Sequence, residues 1–342
     1  MKPCLVIGSG FHSRVLGNRG SPLSSWDALI EEVASELNVC FPPASLSPVL
    51  RWERILETAA SDGFQHPLDS TKWFSKASLA IHEVEQFAKQ AVKKVIDGCG
   101  RNYPYRSSKA QYPFDPAFAA VISLNFDHCW VGHTNFTFDN TKQGNRSGGL
   151  TEVEAGRLMN YIQSAHSPDM RIWFPNGSIC EPNTIRMGLY DYGAQAHSLK
   201  IAFDQLKAFE RNLEARLGAD GWDKKGPVIE EELSKDTVNQ DPAFSNWVAQ
   251  FLYRPIYFAG VGLSEAETGL WWLLAQRARN LARISASERP ETVLLLHAQD
   301  ERRGLWANRP CGIEAMYCDE WDHGWEMLLD RAGPQVISGG SF

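Results

Sequence analysis

Cys4-Leu5-Val6-Ile7-Gly8-Ser9-Gly10-Phe11 decides the fold class of this chain. An uncharged apolar run from Cys4 to Ile7 breaks directly into two glycines one residue apart. A buried strand ends in this way when the next turn of backbone must approach a phosphate. Glycine reaches backbone conformations closed to other residues and leaves no Cβ between amide and ligand. The segment reads as the first strand of an α/β sheet with a nucleotide at its first turn, an ordinary glycine turn being the plain alternative. The third glycine of the full dinucleotide fingerprint would fall at position 13, which is Ser13.

Five further short, β-rich apolar segments follow: Ala120–Leu124, Arg171–Phe174, Ile256–Val261, Val293–His297 and Ile313–Tyr317. Helical periodicity lies between most of them. Ser24 and Ser25 can cap a helix carrying Trp26, Leu29, Ile30, Val33 and Leu37 on one face. Further helices are expected over Thr71–Asp97, Ala196–Leu217, Ala266–Arg283 and Glu320–Asp330. Continuous apolar strands alternating with helices predict a Rossmann-like, doubly wound parallel sheet of about six strands. The long interval between the first two strands predicts a helical insertion over about 40–115, and a second helical stretch runs over about 193–250. One domain is expected over 1–335, with 336–342 as a flexible tail.

The composition is that of an ordinary globular chain, with 43% hydrophobic and 22% charged residues and a formal charge of −7. That acidity does not suit nonspecific nucleic-acid binding, which depends on Lys and Arg neutralising phosphates. The seven cysteines stand at 4, 40, 99, 129, 180, 311 and 318 without a Cys-x-x-Cys pair, so neither a zinc site nor a disulfide framework is expected. Free thiols, no signal peptide and no membrane-length apolar run together predict a cytoplasmic protein with no membrane partner.

Candidate chemistry sits at the strand ends, where ligands of doubly wound sheets bind. The second strand ends Ser123-Leu124-Asn125-Phe126-Asp127. Asn125 and Asp127 there either face a ligand or merely cap a turn and start a helix. The third ends Phe174-Pro175-Asn176-Gly177-Ser178, followed by Asp191-Tyr192. The fourth ends Ala259-Gly260-Val261-Gly262-Leu263-Ser264, with Glu267 placed to complete a capping box. Trp271-Trp272 and the Trp321, His323, Trp325 group read as packing residues, and Glu230-Glu231-Glu232 as a solvated charge run.

These four strand ends, together with Trp26-Asp27-Ala28-Leu29, resemble the sirtuin-like domains of bacterial defence proteins over about residues 3–275. The resemblance implies NAD+ as substrate, with Gly8, Ser9, Gly10 and Phe11 cradling its pyrophosphate. Asn125 and Asp127 would face the nicotinamide ribose, Asn176 and Gly177 would stand in the third motif, and Gly260, Gly262 and Ser264 would line the adenosine side. The cysteine pairs that hold zinc in deacylating sirtuins are missing, so no metal is expected. The family's usual histidine before the third-motif glycine is Asn176 here, and an amide accepts no proton at neutral pH. His133 and His166, upstream of Asn176, are histidines that could substitute, an ordinary surface or core role being the plain alternative for each.

The expected function is an NAD+ glycohydrolase effector of anti-phage defence, releasing nicotinamide and ADP-ribose. Control would come from homo-oligomerisation or from a partner protein such as an ATPase. The alternative is a catalytically silent module that binds NAD+ or ADP-ribose and governs assembly of a defence complex. A nucleic-acid-processing subunit is the third possibility, and the acidic charge counts against it.

Overall fold

A computed structural model describes residues 1–16, 20–62, 81–100, 117–127, 137–139, 161–163, 171–218, 222–235, 240–263 and 267–333. Its centre is an eight-stranded sheet. In chain order the strands are β1 (Cys4–Ile7), β2 (Ala120–Ser123), β3 (Thr137–Asp139), β4 (Tyr161–Gln163), β5 (Arg171–Trp173), β6 (Ile256–Ala259), β7 (Thr292–His297) and β8 (Glu314–Cys318). They lie side by side as β3-β4-β5-β2-β1-β6-β7-β8. Six of them, from β5 to β8, run parallel, and β3 and β4 add an antiparallel edge beyond β5. All six expected strands are present within a residue or two of their expected ends. The antiparallel edge is the addition.

The order of the six parallel strands is that of the dinucleotide-binding doubly wound fold, with the chain reversing its direction of travel across the sheet between β1 and β6. β1 pairs Cys4 with Ala120 on one side and with Ile256 on the other. All four of its residues are fully buried, which accounts for an unbroken apolar run where alternation would mark a half-exposed strand. Cys4 and Val6 enter one core layer and Leu5 and Ile7 the opposite one. Burial pushes the Cys4 thiol up to about 12, so it packs as a small neutral hydrophobe.

Ten helices surround the sheet among the described residues. The first four are α1 (Gly10–Leu16), α2 (Trp26–Glu36), α3 (Pro48–Asp62) and α4 (Ile81–Gly100). Next come α5 (Leu189–Leu217), α6 (Trp222–Ser234), α7 (Trp247–Tyr253) and α8 (Thr268–Leu281). The last are α9 (Arg303–Ala307) and α10 (Trp321–Ala332). As expected, Ser25 caps α2, its side chain accepting from the Ala28 amide. α2, α3 and α4 share a core of their own, centred on Ile30, Val33, Trp52, Ile55, Val84 and Val92. α5, α7 and α8 cover one face of the sheet, and α10 packs on the other through Trp325 and Leu328. Trp271 stacks on Trp306 at 6.2 Å and Trp272 meets Phe203 edge-on at 5.5 Å, so both serve packing. Ser264, the expected cap of α8, lies outside the described residues; the described helix starts at Thr268, with Glu267 directly before it. Residues 336–342 lie outside the described residues.

Two polar clusters, one buried and one near the surface, hold the β6–β8 side. Arg277, fully enclosed on α8, donates to Thr292 Oγ1 (2.9 Å) and to the carbonyls of Phe251 (3.0 Å), Leu252 (2.8 Å), Pro290 and Glu291 (both 3.0 Å). Near the surface, Arg331 bridges Glu291 (2.6 Å) and Glu314 (2.7 Å). Its hydrogen bond holds the Glu314 carboxyl below the usual carboxylate range. A depressed carboxyl pKa adds stability that is present above the unfolded value of about 4.3 and is lost as pH falls through the folded value. Glu314→Gln is therefore expected to flatten the acid limb of a stability–pH curve below about pH 4.5, read by urea denaturation. An unchanged limb would remove this pair from the account.

Candidate functional site

The carboxyl ends of β1, β2, β5 and β6 meet at one cavity of about 360 Å³, placed where the strand order reverses. Such reversal points are where doubly wound sheets bind ligands, because adjacent loops diverge there and leave a crevice. Six of the residues singled out from sequence line it: Gly8, Ser9, Asn125, Asn176, Gly260 and Gly262.

The two glycine turns lie face to face. Gly8 N–H donates to Ala259 O (3.2 Å) and Gly10 N–H to Gly260 O (3.0 Å). A Cβ on Gly8 would come within 2.6 Å of Gly260 O, and one on Gly10 within 2.9 Å of the same atom. Gly260 itself has φ +64°, and a Cβ there would strike the Phe11 backbone nitrogen. Backbone-to-backbone approach thus accounts for glycine at 8, 10 and 260. Gly262 differs, since none of the described residues stands within 4 Å of its Cβ position.

This stitching spends most donors of the first turn. Phe11 N–H donates to Gly8 O and His12 N–H to Ser9 O, both at 3.0 Å. The Ser9 amide and hydroxyl are the donors of the turn that make no hydrogen bond among the described residues. Gly10 and Phe11 stand behind the cavity wall, Phe11 being buried in the core against Trp325 at 6.1 Å.

Asn125 and Asn176 present a matched pair of amides. Asn125 Nδ2 donates to Gly8 O (3.1 Å), and Asn176 Nδ2 donates to Leu124 O (2.9 Å). Carbonyl partners fix both amide orientations, because only the nitrogen can donate. Each Oδ1 is left as an acceptor, suited to sugar hydroxyls or to developing positive charge. Gly177 supports Asn176 from behind, with φ +88° and backbone packed against Thr184. Arg186 N–H closes the same turn on Asn176 O at 2.8 Å.

Asp127 does not line the main cavity. It borders a small neighbouring pocket of about 20 Å³ together with Ser9 and Asn125. Its carboxylate lies 2.8 Å from His12 Nε2, and both side chains are buried. The pair ties the start of α1 to the end of β2, the two segments that supply Ser9 and Asn125. Ser264, His133 and His166 lie outside the described residues.

Further lining residues come from helices, Trp26 and Tyr192 belonging to the quoted Trp26-Asp27-Ala28-Leu29 and Asp191-Tyr192 segments. Trp26 reaches in from α2, and Tyr192 and Gln195 from the first turns of α5. Burial pushes the Tyr192 phenol up, with the Glu267 and Asp191 carboxylates adding to it, so Tyr192 offers a neutral hydroxyl. Asp191 Oδ2 accepts from Met187 N–H (3.1 Å), and Lys89 on α4 binds both Asp191 (3.1 Å) and Glu85 (2.7 Å). Helix α4 thereby fixes the start of the helix that lines the cavity. Glu267 is the single ionisable carboxylate among the described lining residues, and no Lys or Arg is among them. Just outside, Arg302 donates to Gly262 O and is held on Asp300 at 2.7 Å. Among the described residues no group of His, Cys, Asp and Glu is arranged to hold a metal, and no helix is long and apolar enough to cross a membrane. Compared with models of known families and with curated proteins, the chain matches none.

Proposed function

We propose that the cavity binds NAD+ and that the chain hydrolyses it to nicotinamide and ADP-ribose, as its sirtuin-like motifs imply. One observation carries the reading: two stitched glycine turns and the two asparagines Asn125 and Asn176, each with its Oδ1 left as an acceptor, line one cavity at the strand-order reversal. The chemistry suits those groups. The C1′–N bond breaks with its electron pair returning to the pyridinium nitrogen, so nicotinamide leaves neutral and needs no general acid. Positive charge grows on the ribose, as in glycoside hydrolysis. The Asn125 Oδ1 acceptor, already held by Gly8, stabilises that charge without reorganising. Water then adds to C1′ and loses its proton to solvent. The setting proposed is anti-phage defence, with activity governed by self-association or by a partner protein such as an ATPase.

The test is nicotinamide release from NAD+ by the purified chain, alone and with candidate partners. Asn125→Ala is expected to lower release by roughly 10²–10³-fold, the typical loss on removing one preorganised polar group. Release unaffected by this change would remove Asn125 from the chemistry. The second reading, a silent module that binds NAD+ or ADP-ribose, is favoured by Asn176, which accepts no proton. It is favoured also by Asp127, which is turned to His12 and lies outside the main cavity. Tight binding with no release in any assembly would select it.

A further inference from the structure

We infer that Glu267 is the acceptor for the ribose diol of the adenosine half and makes the cavity selective for dinucleotides without a 2′-phosphate. The inference rests on the dinucleotide reading of the cavity. A dinucleotide laid across a strand-order reversal places one nucleotide on each side of it. Asn125 and Asn176 stand on the β2 and β5 side, and Glu267 stands on the opposite side, at the entry to α8 beyond the Gly260-Val261-Gly262 turn. Tyr192 on α5 lines the same cavity, and Arg302 after β7 lies beside the turn on Gly262 O.

A carboxylate with two acceptor oxygens matches the paired hydroxyls of a ribose, each donating one hydrogen bond. In doubly wound folds an acidic side chain performs this task where the 2′-position is a hydroxyl, and an arginine takes its place where that position is phosphorylated. Arg302 does not supply such a cation. Its Nε and Nη2 are held on the two oxygens of Asp300 (3.1 and 2.7 Å), and its Nη1 is spent on Gly262 O. A 2′-phosphate carries a charge of about −1.5 to −2 near neutral pH, so beside Glu267 it meets repulsion with no compensating Lys or Arg among the described lining residues.

Binding of ADP-ribose, 2′-phospho-ADP-ribose and NAD+ to the full chain, by titration calorimetry, tests this without any turnover. The unaltered protein is expected to bind ADP-ribose at least about 30-fold more tightly than its 2′-phosphate. Glu267→Gln, nearly isosteric and at a half-buried position, is expected to weaken ADP-ribose about tenfold and to bring the two ligands within about threefold. Glu267→Arg is expected to favour the phosphorylated ligand. A preference that both variants leave unchanged would overturn the inference while leaving the dinucleotide reading intact. So would a Glu267→Gln protein that loses NAD+ affinity but keeps ADP-ribose affinity, since that would place the carboxylate beside the nicotinamide. If the unaltered protein binds neither NAD+ nor ADP-ribose, the reading of the cavity falls and takes this inference with it.

Discussion

Gly260→Ala is expected to destabilise the protein by about 4 kcal/mol or more and to abolish ligand binding in the cavity. At φ +64° an alanine meets the left-handed penalty of roughly 1–2 kcal/mol before any contact is counted. Its Cβ would then lie 2.7 Å from the Gly10 carbonyl carbon and against the Phe11 amide. Neither turn can give way, because Gly8 and Gly10 donate their amides to Ala259 and Gly260, and Phe11 is packed in the core. For a chain of this size each kcal/mol shifts the unfolding midpoint by roughly 2–4 °C, so a drop of about 10 °C is the result to look for. Gly262→Ala supplies the control. Its Cβ position is open and its φ is ordinary, so its effect on stability should stay within about 0.5 kcal/mol. Equal effects at the two glycines would contradict the stitched-turn account.

Arg277→Met is expected to cost about 4 kcal/mol, read as a lower urea midpoint at unchanged slope. The methionine keeps much of the apolar stem but none of the five hydrogen bonds. Four carbonyls and the Thr292 hydroxyl would then stay buried without that donor, each at a penalty of about 1 kcal/mol or more. Two of those carbonyls, of Phe251 and Leu252, close the C-terminus of α7, where a cation is also favoured by the helix dipole. Arg277→Lys should recover less than half of the loss, since one ammonium cannot reach a planar fan of five acceptors. Full recovery by lysine would mean that charge, and not geometry, holds this junction.

The parallel sheet was legible because its strands are buried on both faces and so stand out as short unbroken apolar runs. The antiparallel edge was not. β3 and β4 are three residues each, too short for any periodicity to register. Helix α7 escaped for a different reason: all seven of its residues are buried, which removes the amphipathic stripe. Its start was nevertheless written in Asn246, whose side chain accepts from the Val248 and Ala249 amides. α6 falls within the helical stretch expected over about 193–250, but Pro227 in its interior kept its bounds from being read.

At the site, glycines and asparagines at strand ends were readable, since the chemistry of a tight turn restricts what can stand there. Asp127 shows where that reasoning stops. Its position after β2 suited a ligand, but a buried histidine 115 residues earlier, His12, could not be paired with it without the fold. Gln195 comes from a helix, where no local pattern separates a cavity-lining residue from a packed one; Trp26 and Tyr192 stood in quoted motifs, without a role assigned to either.

The stitching of the Gly8-Ser9-Gly10 turn to Gly260 also sets an order on biosynthesis. β1 is made first yet sits at the middle of the sheet, and its partner β6 follows roughly 250 residues later. At about 5–20 residues per second, a nascent chain spends on the order of 10–50 s with its first glycine turn formed but unsupported. Throughout that interval the cavity lacks its Gly260–Gly262 wall, so no complete pocket exists in a growing or prematurely terminated polypeptide until β6 and the turn after it have emerged.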